Sequence, residues 1–186
     1  MKQAIAIAAL LMALTACSTA TPGTPIAEPT QAGSETNRPP TSNKDDTDKD
    51  RALAALDPCD LITPEVRTEF GIDTDANYKE FPSSRTCNWN GTPPGTTERV
   101  AISYGIFAEL GLDKIAARND KKEITVNGRR AISSIGGAGN IYAISLEVTP
   151  TSRVDILFSG GGSQTPVEQM WERATRLAEL VEPKIP

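Results

Sequence analysis

Histidine is absent from the 186 residues, and with it go the commonest general base and the commonest metal ligand. Catalysis in such a chain would rest on carboxylates, lysines or a serine activated by lysine. The patterns that present such groups are also missing: no Gly-x-Ser-x-Gly turn and no Ser-x-x-Lys pair occurs. The Gly-rich stretches "GGAGN" (136–140) and "GGG" (160–162) lack the Gly-Lys-Ser/Thr ending that lets a P-loop hold phosphate, and they read as turns. Asp73 and Asp75 have the spacing of a calcium loop without its third acid or distal glutamate. No apolar run approaches the roughly 20 residues a membrane-spanning helix needs. Nor is there an excess of positive charge. Lys and Arg number 19 against 24 Asp and Glu, a net charge of −5, which disfavours nucleic acid as a partner. No metal, cofactor or catalytic residue is therefore assigned.

What the chain does contain begins at its N-terminus. Lys2 precedes an apolar segment from Ala4 to Ala13, and small or aliphatic residues, Leu14, Thr15 and Ala16, lead into Cys17. That is the order of a secretory signal, basic then apolar then small. "LTAC" resembles the bacterial lipoprotein box, in which the cysteine thiol takes a diacylglyceryl group and cleavage occurs just before it. The expectation is a signal peptide over 1–16 and a lipid-modified Cys17 as the first mature residue. The membrane would then be a partner through that anchor, with the domain on the extracytoplasmic face.

Three cysteines are present. With Cys17 committed to lipid, Cys59 and Cys87 remain in a compartment that permits disulfides, and they read as a bridge. The alternative, a metal or catalytic thiol pair, lacks a third ligand nearby.

From Ser18 to Ala52 the chain is rich in Thr, Pro, Ser, Gly and Asn and ends in the charge-dense "NKDDTDKDRA". With almost nothing apolar to bury, residues 17–52 are expected to form a lipidated N-terminus and a disordered tether, dispensable for folding.

Residues 53–186 are expected to form one α+β domain. Thr63 and Pro64 read as N-cap and first residue of a short helix ended by Gly71. Strands are expected at "TCNWNG" and "RVAISYGI", the latter placing Val100, Ile102, Tyr104 and Ile106 on one face. A helix is expected near Glu109 to Arg118. Asn127-Gly128 between two apolar-rich runs signals a hairpin. Tyr142, Ile144, Leu146 and Val148, then Val154, Ile156 and Phe158, alternate with mostly polar or small residues. At the C-terminal end, Thr165, Pro166 and Glu168 look like a capping box ahead of a stripe of Val167, Met170, Trp171, Ala174, Leu177, Ala178 and Val181. The expected architecture is a single antiparallel sheet of five or six strands with helices on one face.

"LDPCDLITPE" from Leu56 and "CNW" at Cys87 to Trp89, on a chain with a lipoprotein box and a Thr/Pro-rich linker, resemble the actinobacterial lipoproteins grouped as domain of unknown function 3558. The resemblance implies an envelope location and places Cys59 and Cys87 in the family's paired positions. It transfers no activity. Two functions therefore stand: a non-enzymatic cell-envelope module that binds a lipid, a glycan or an envelope protein, and a hydrolase working with carboxylates such as Asp73, Asp75 or Glu80. A basic stretch around the hairpin, Lys121, Lys122, Arg129 and Arg130, would suit anionic lipid heads or stand as a solvated strand face.

Overall fold

The first helix forms where composition expects a tether. The computed structural model describes residues 44–115, 118–137, 139–160 and 165–186; Cys17, the expected signal segment and the expected linker up to residue 43 lie outside the described residues. Helix α1 spans Lys44–Ala55 and buries a single side chain, Leu53. Polar anchors hold its second half. Past its midpoint, the Asp50 carboxylate accepts hydrogen bonds from Thr149 Oγ1 (2.8 Å) and Ser152 Oγ (2.6 Å). At its end, Arg85 donates to the carbonyls of Leu53 (3.1 Å) and Leu56 (2.9 Å), the groups a helix C-terminus leaves unpaired. Composition misses this because it counts apolar residues, whereas the partners lie far along the chain. A chain beginning at Lys44 should therefore outlast one beginning at Leu53 by about 1 to 3 kcal/mol, the cost of stripping partners from buried polar groups. Equal denaturant midpoints for the two would show that α1 merely rests on the domain.

Thr63 caps the next helix, α2 (Pro64–Glu69), its Oγ1 accepting from the Val66 amide at 3.1 Å. Gly71 ends it at φ +56°, where an added Cβ would lie 1.9 Å from the Thr92 carbonyl oxygen, so no larger residue fits.

Seven strands follow: β1 (Asn77–Phe81), β2 (Ser84–Gly91), β3 (Val100–Phe107), β4 (Asn119–Val126), β5 (Arg129–Gly136), β6 (Ile141–Thr149) and β7 (Ser152–Gly160). They form one antiparallel sheet in the order β1-β2-β3-β7-β6-β5-β4. The count is seven, not five or six. The unexpected strand is β1, "NYKEF", every residue of which is exposed, so it lacks the apolar alternation by which a half-buried strand is read. Asn127 (φ 49°) and Gly128 (φ 87°) close the β4–β5 hairpin as expected.

The helix expected near Glu109 to Arg118 does not form: among the described residues of that stretch only Leu112–Lys114 is helical, as a single 3-10 turn. Sheet order explains why. β3 and β4 run in the same direction with β7, β6 and β5 between them, so the connection must cross about 19 Å of sheet width and return along its length. A ten-residue helix reaches only about 15 Å. Distance therefore overrides local propensity, and Leu112 and Ile115 are buried along the crossing.

One core forms between the sheet and the helices. Leu53, Leu61, Val66, Phe70 and the buried residues of the last helix, α3 (Val167–Val181), join Trp89, Ile102, Tyr104, Ile144, Leu146, Ile156 and Phe158 in a single cluster. The α3 stripe is narrower than its sequence suggests. Met170, Ala174, Leu177, Ala178 and Val181 are buried, but Val167 is 52% exposed and Trp171 is half-buried, its ring edge-on to Tyr142 at 5.0 Å. The capping box does not form either. Pro166 holds the cap position, and Thr165 Oγ1 donates instead to Glu98 (2.6 Å), which also accepts from Arg173 (3.0 Å). No helix of the described residues is long and apolar enough to cross a membrane.

Candidate functional site

Cys59 and Cys87 are bonded to each other. Cys59 sits in a 3-10 turn, Pro58–Leu61, where Asp57 accepts from the Cys59 amide at 2.8 Å; Cys87 is fully buried on β2. The bond ties the turn after α1 to the sheet and leaves neither sulfur free for metal or catalysis. Among the described residues no three Cys, Asp or Glu side chains gather as a metal site.

The carboxylates proposed for hydrolysis are not brought together in a protected site. Asp73 is exposed and engaged by Arg99, and Asp75 is exposed. Glu80 lies on β1 at a cleft of about 310 Å³ beside the β1–β2 turn, lined also by Phe81, Arg85, Ile106, Glu109 and Leu110. Glu80 and Glu109 stand in water, and the one guanidinium there, Arg85, is occupied by backbone carbonyls. Three of the four basic residues at the hairpin are likewise spent on internal partners, and the fourth, Lys122, is exposed. Lys121 donates to Ile115 O. Arg129 binds Glu182 and the carbonyls of Glu147, Ile185 and Pro186. Arg130 bridges Glu123 and Glu147, whose hydrogen bonds hold its guanidinium still more firmly charged. The stretch 136–140 closes β5 to β6 through a Gly139 N–H to Gly136 O bond of 3.3 Å, the behaviour of a turn.

Sequence reading overlooks a buried charge cluster on the sheet face away from the helices. Asp155 accepts from Arg153 Nε (2.9 Å) and Arg118 Nη2 (2.7 Å), and Arg118 also reaches Ser145 (3.3 Å). Arg153 donates to the carbonyls of Leu110 (2.7 Å) and Gly111 (3.0 Å), and its guanidinium lies 4.0 Å from the Phe107 ring centre. Alternation along β7 marks Arg153 and Asp155 as wet-face residues; the crossover between β3 and β4 covers them instead. The cluster pins that crossover and offers no free group to a substrate.

Deep in the core, the Tyr104 hydroxyl and the Trp89 indole N–H are buried without hydrogen-bond partners among the described residues, their rings 5.2 Å apart. Burial raises the Tyr104 pKa well above its ordinary value. A neutral phenol is thus favoured by folding: its contribution is complete below about pH 10 and is lost as pH rises further, when the unfolded chain ionises and the folded one resists. Tyr104→Phe should be as stable as the parent or more so at pH 7, because an unpaired buried hydroxyl costs about 1 to 3 kcal/mol, and should lose less stability above pH 10. A clear loss at neutral pH, read by thermal unfolding, would mean the hydroxyl has a partner.

The surface with the clearest capacity for contact is the β1 edge. Tyr78 (45% exposed) and Phe81 (50%) project from opposite faces of the same five-residue strand, and Phe81 also lines the 310 Å³ cleft. The far edge, β4, is defended differently. Its ladder breaks between Asn119 and Lys122, Asp120 sits at φ 50°, and "DKKE" puts four charges in a row. Bulges and charges of this kind deter strand addition. β1 pairs with β2 without interruption over all five residues.

A family described as "Protein of unknown function (DUF3558)" matches residues 12–184. No curated protein and no solved structure shows a significant match to the chain.

Proposed function

The chain belongs to the DUF3558 family, and from that premise we propose that it is a lipid-anchored, extracytoplasmic module that acts by binding and performs no reaction. The observation that carries the binding half is the β1 surface: two large apolar side chains stand in water on an intact edge strand beside a cleft, while the carboxylates available for chemistry are exposed or paired. Exposed aromatics on a rigid element fit contact with another macromolecule better than capture of a small solute. The anchoring half rests on Lys2, the apolar segment and "LTAC", and the family match, which starts at residue 12, takes in Cys17.

The hydrolase reading keeps one observation, that Glu80 and Glu109 line one cleft. It lacks any enclosure that would exclude water from them or distinguish an acid from a base.

Cys17→Ala tests the anchor. The substituted protein should be released into the medium or accumulate as uncleaved precursor, and should no longer take up a fatty-acid label. Continued labelling would remove the proposal. Mass spectrometry of what co-purifies with the anchored protein from its native membrane then identifies the ligand class.

A further inference from the structure

We propose that the β1 edge is a self-association surface, on which β1 of a second copy adds antiparallel to make one continuous sheet. This rests on reading β1 as the binding surface and names its occupant.

The argument starts with where the backbone points. The Asn88 side-chain amide donates to the Asn77 carbonyl (3.1 Å) and the Thr86 hydroxyl to the Lys79 carbonyl (3.4 Å), so both carbonyls face β2. In an antiparallel ladder the hydrogen-bonding direction alternates along the strand. Tyr78 and Glu80 therefore turn their N–H and C=O groups outward, toward the open edge. All five β1 residues are exposed, so neither face of the strand obstructs a neighbour.

Charge and proline then select the register in which a second copy fits. A two-fold axis perpendicular to the sheet keeps the helical layers of both copies on one side, so only residues of the same face stand opposite each other. Three registers pair the outward-bonding residues of the strand itself, Tyr78 and Glu80, with one another in this way. One sets Lys79 against its own copy. Another sets Glu80 against its own copy and Pro82, which has no N–H, against Tyr78. Like charges directly opposite are destabilising, and proline interrupts a ladder. The third sets Tyr78 against Tyr78, Lys79 against Asn77 and Glu80 against Ala76; it has no like-charge pair and gains an aromatic one. The strand is thus compatible with itself in one register. The five-residue length makes the contact small, below the area of a standard stable interface, so it would form chiefly where copies are concentrated, as on a shared surface.

Cysteine scanning of the full chain tests this. Directly opposite residues have Cβ atoms about 4.5 to 5.5 Å apart, within disulfide reach. Position 80 lies opposite position 76, so two copies of position 80 are separated by about 13 Å. Under mild oxidation Tyr78→Cys should give a linked dimer. Glu80→Cys alone should give none beyond that of Thr125→Cys on the β4 edge, yet a mixture of Ala76→Cys and Glu80→Cys chains should give the mixed dimer. These positions are exposed, and an unchanged melting temperature for each variant shows that the fold is retained. Dimer from Glu80→Cys alone would overturn the register. Equal yields at Tyr78 and Thr125 would overturn self-pairing, leaving the edge to a strand from a different protein; the anchored-module reading, tested by Cys17 labelling, is unaffected by that result.

Discussion

Replacing Asp155 with alanine should cost about 3 to 5 kcal/mol, the range for removing one partner from a buried charge pair. The carboxylate is 1% exposed, and two guanidiniums converge on it; the Arg153 side chain is itself 4% exposed. Without the carboxylate, Arg153 retains the Leu110 and Gly111 carbonyls and the Phe107 ring, but no anion. Arg118 has 18% of its side chain in solvent and can turn outward. Most of the cost should therefore fall on Arg153 and on the crossover it holds. Denaturant unfolding reads the loss. Amide exchange locates it, with early opening expected at Leu110 to Ile115 and in the first residues of β4, before β2 and β3 open. A loss below about 1 kcal/mol, the level of a surface pair, would mean that the cluster is hydrated and the crossover is held by Leu112 and Ile115 alone.

Removing the disulfide should have an effect of similar size. Cys59 and Cys87 are separated by 28 positions, and closing a loop of that length restricts the unfolded chain by about 3.5 kcal/mol in the chain-entropy account. Substituting both cysteines by alanine avoids burying a hydroxyl at position 87, which is fully enclosed. The double variant should melt well below the parent, and reducing agent should lower the parent toward it. The native chain, alkylated without reduction, should show no reactive thiol at either position. Two alkylatable thiols there would contradict the bond, and a double variant as stable as the parent would mean that α1 and the 3-10 turn are held by packing and by Arg85.

The features that could be read in advance were those whose causes lie within a few residues. Thr63-Pro64 opens α2 because the capping hydroxyl and its amide are three residues apart. Asn127-Gly128 makes its hairpin because both residues tolerate positive φ. The even-numbered positions of β3, β6 and β7 line the core because a strand's period is two. The features that could not be read had distant causes. α1 carries one buried residue, and its anchors are Arg85, Thr149 and Ser152. The stretch after β3 had helical character but had to span four inter-strand steps. Thr165 had the spacing of a cap, yet Glu98 drew its hydroxyl away.

The candidate surface divides in the same way. Tyr78 and Phe81 are ordinary residues in the sequence, and nothing local marks β1 as a strand, because its hydrogen-bonding partner β2 supplies the reason for its conformation.

By itself, then, the sequence determined what depends on composition and short spacing: an apolar N-terminal run followed by "LTAC", an α+β fold and its sheet periodicity, a cysteine pair, and the lack of any histidine-based chemistry. Tertiary structure alone decided that Lys44–Ala55 packs on the sheet, that Arg118, Arg153 and Asp155 are interior, and that among the described residues one sheet edge is left open while the other is closed by a bulge and charges. The physical reason is that burial and exposure follow from which strand lies beside which. Strand order is set by chain crossings that no local pattern encodes.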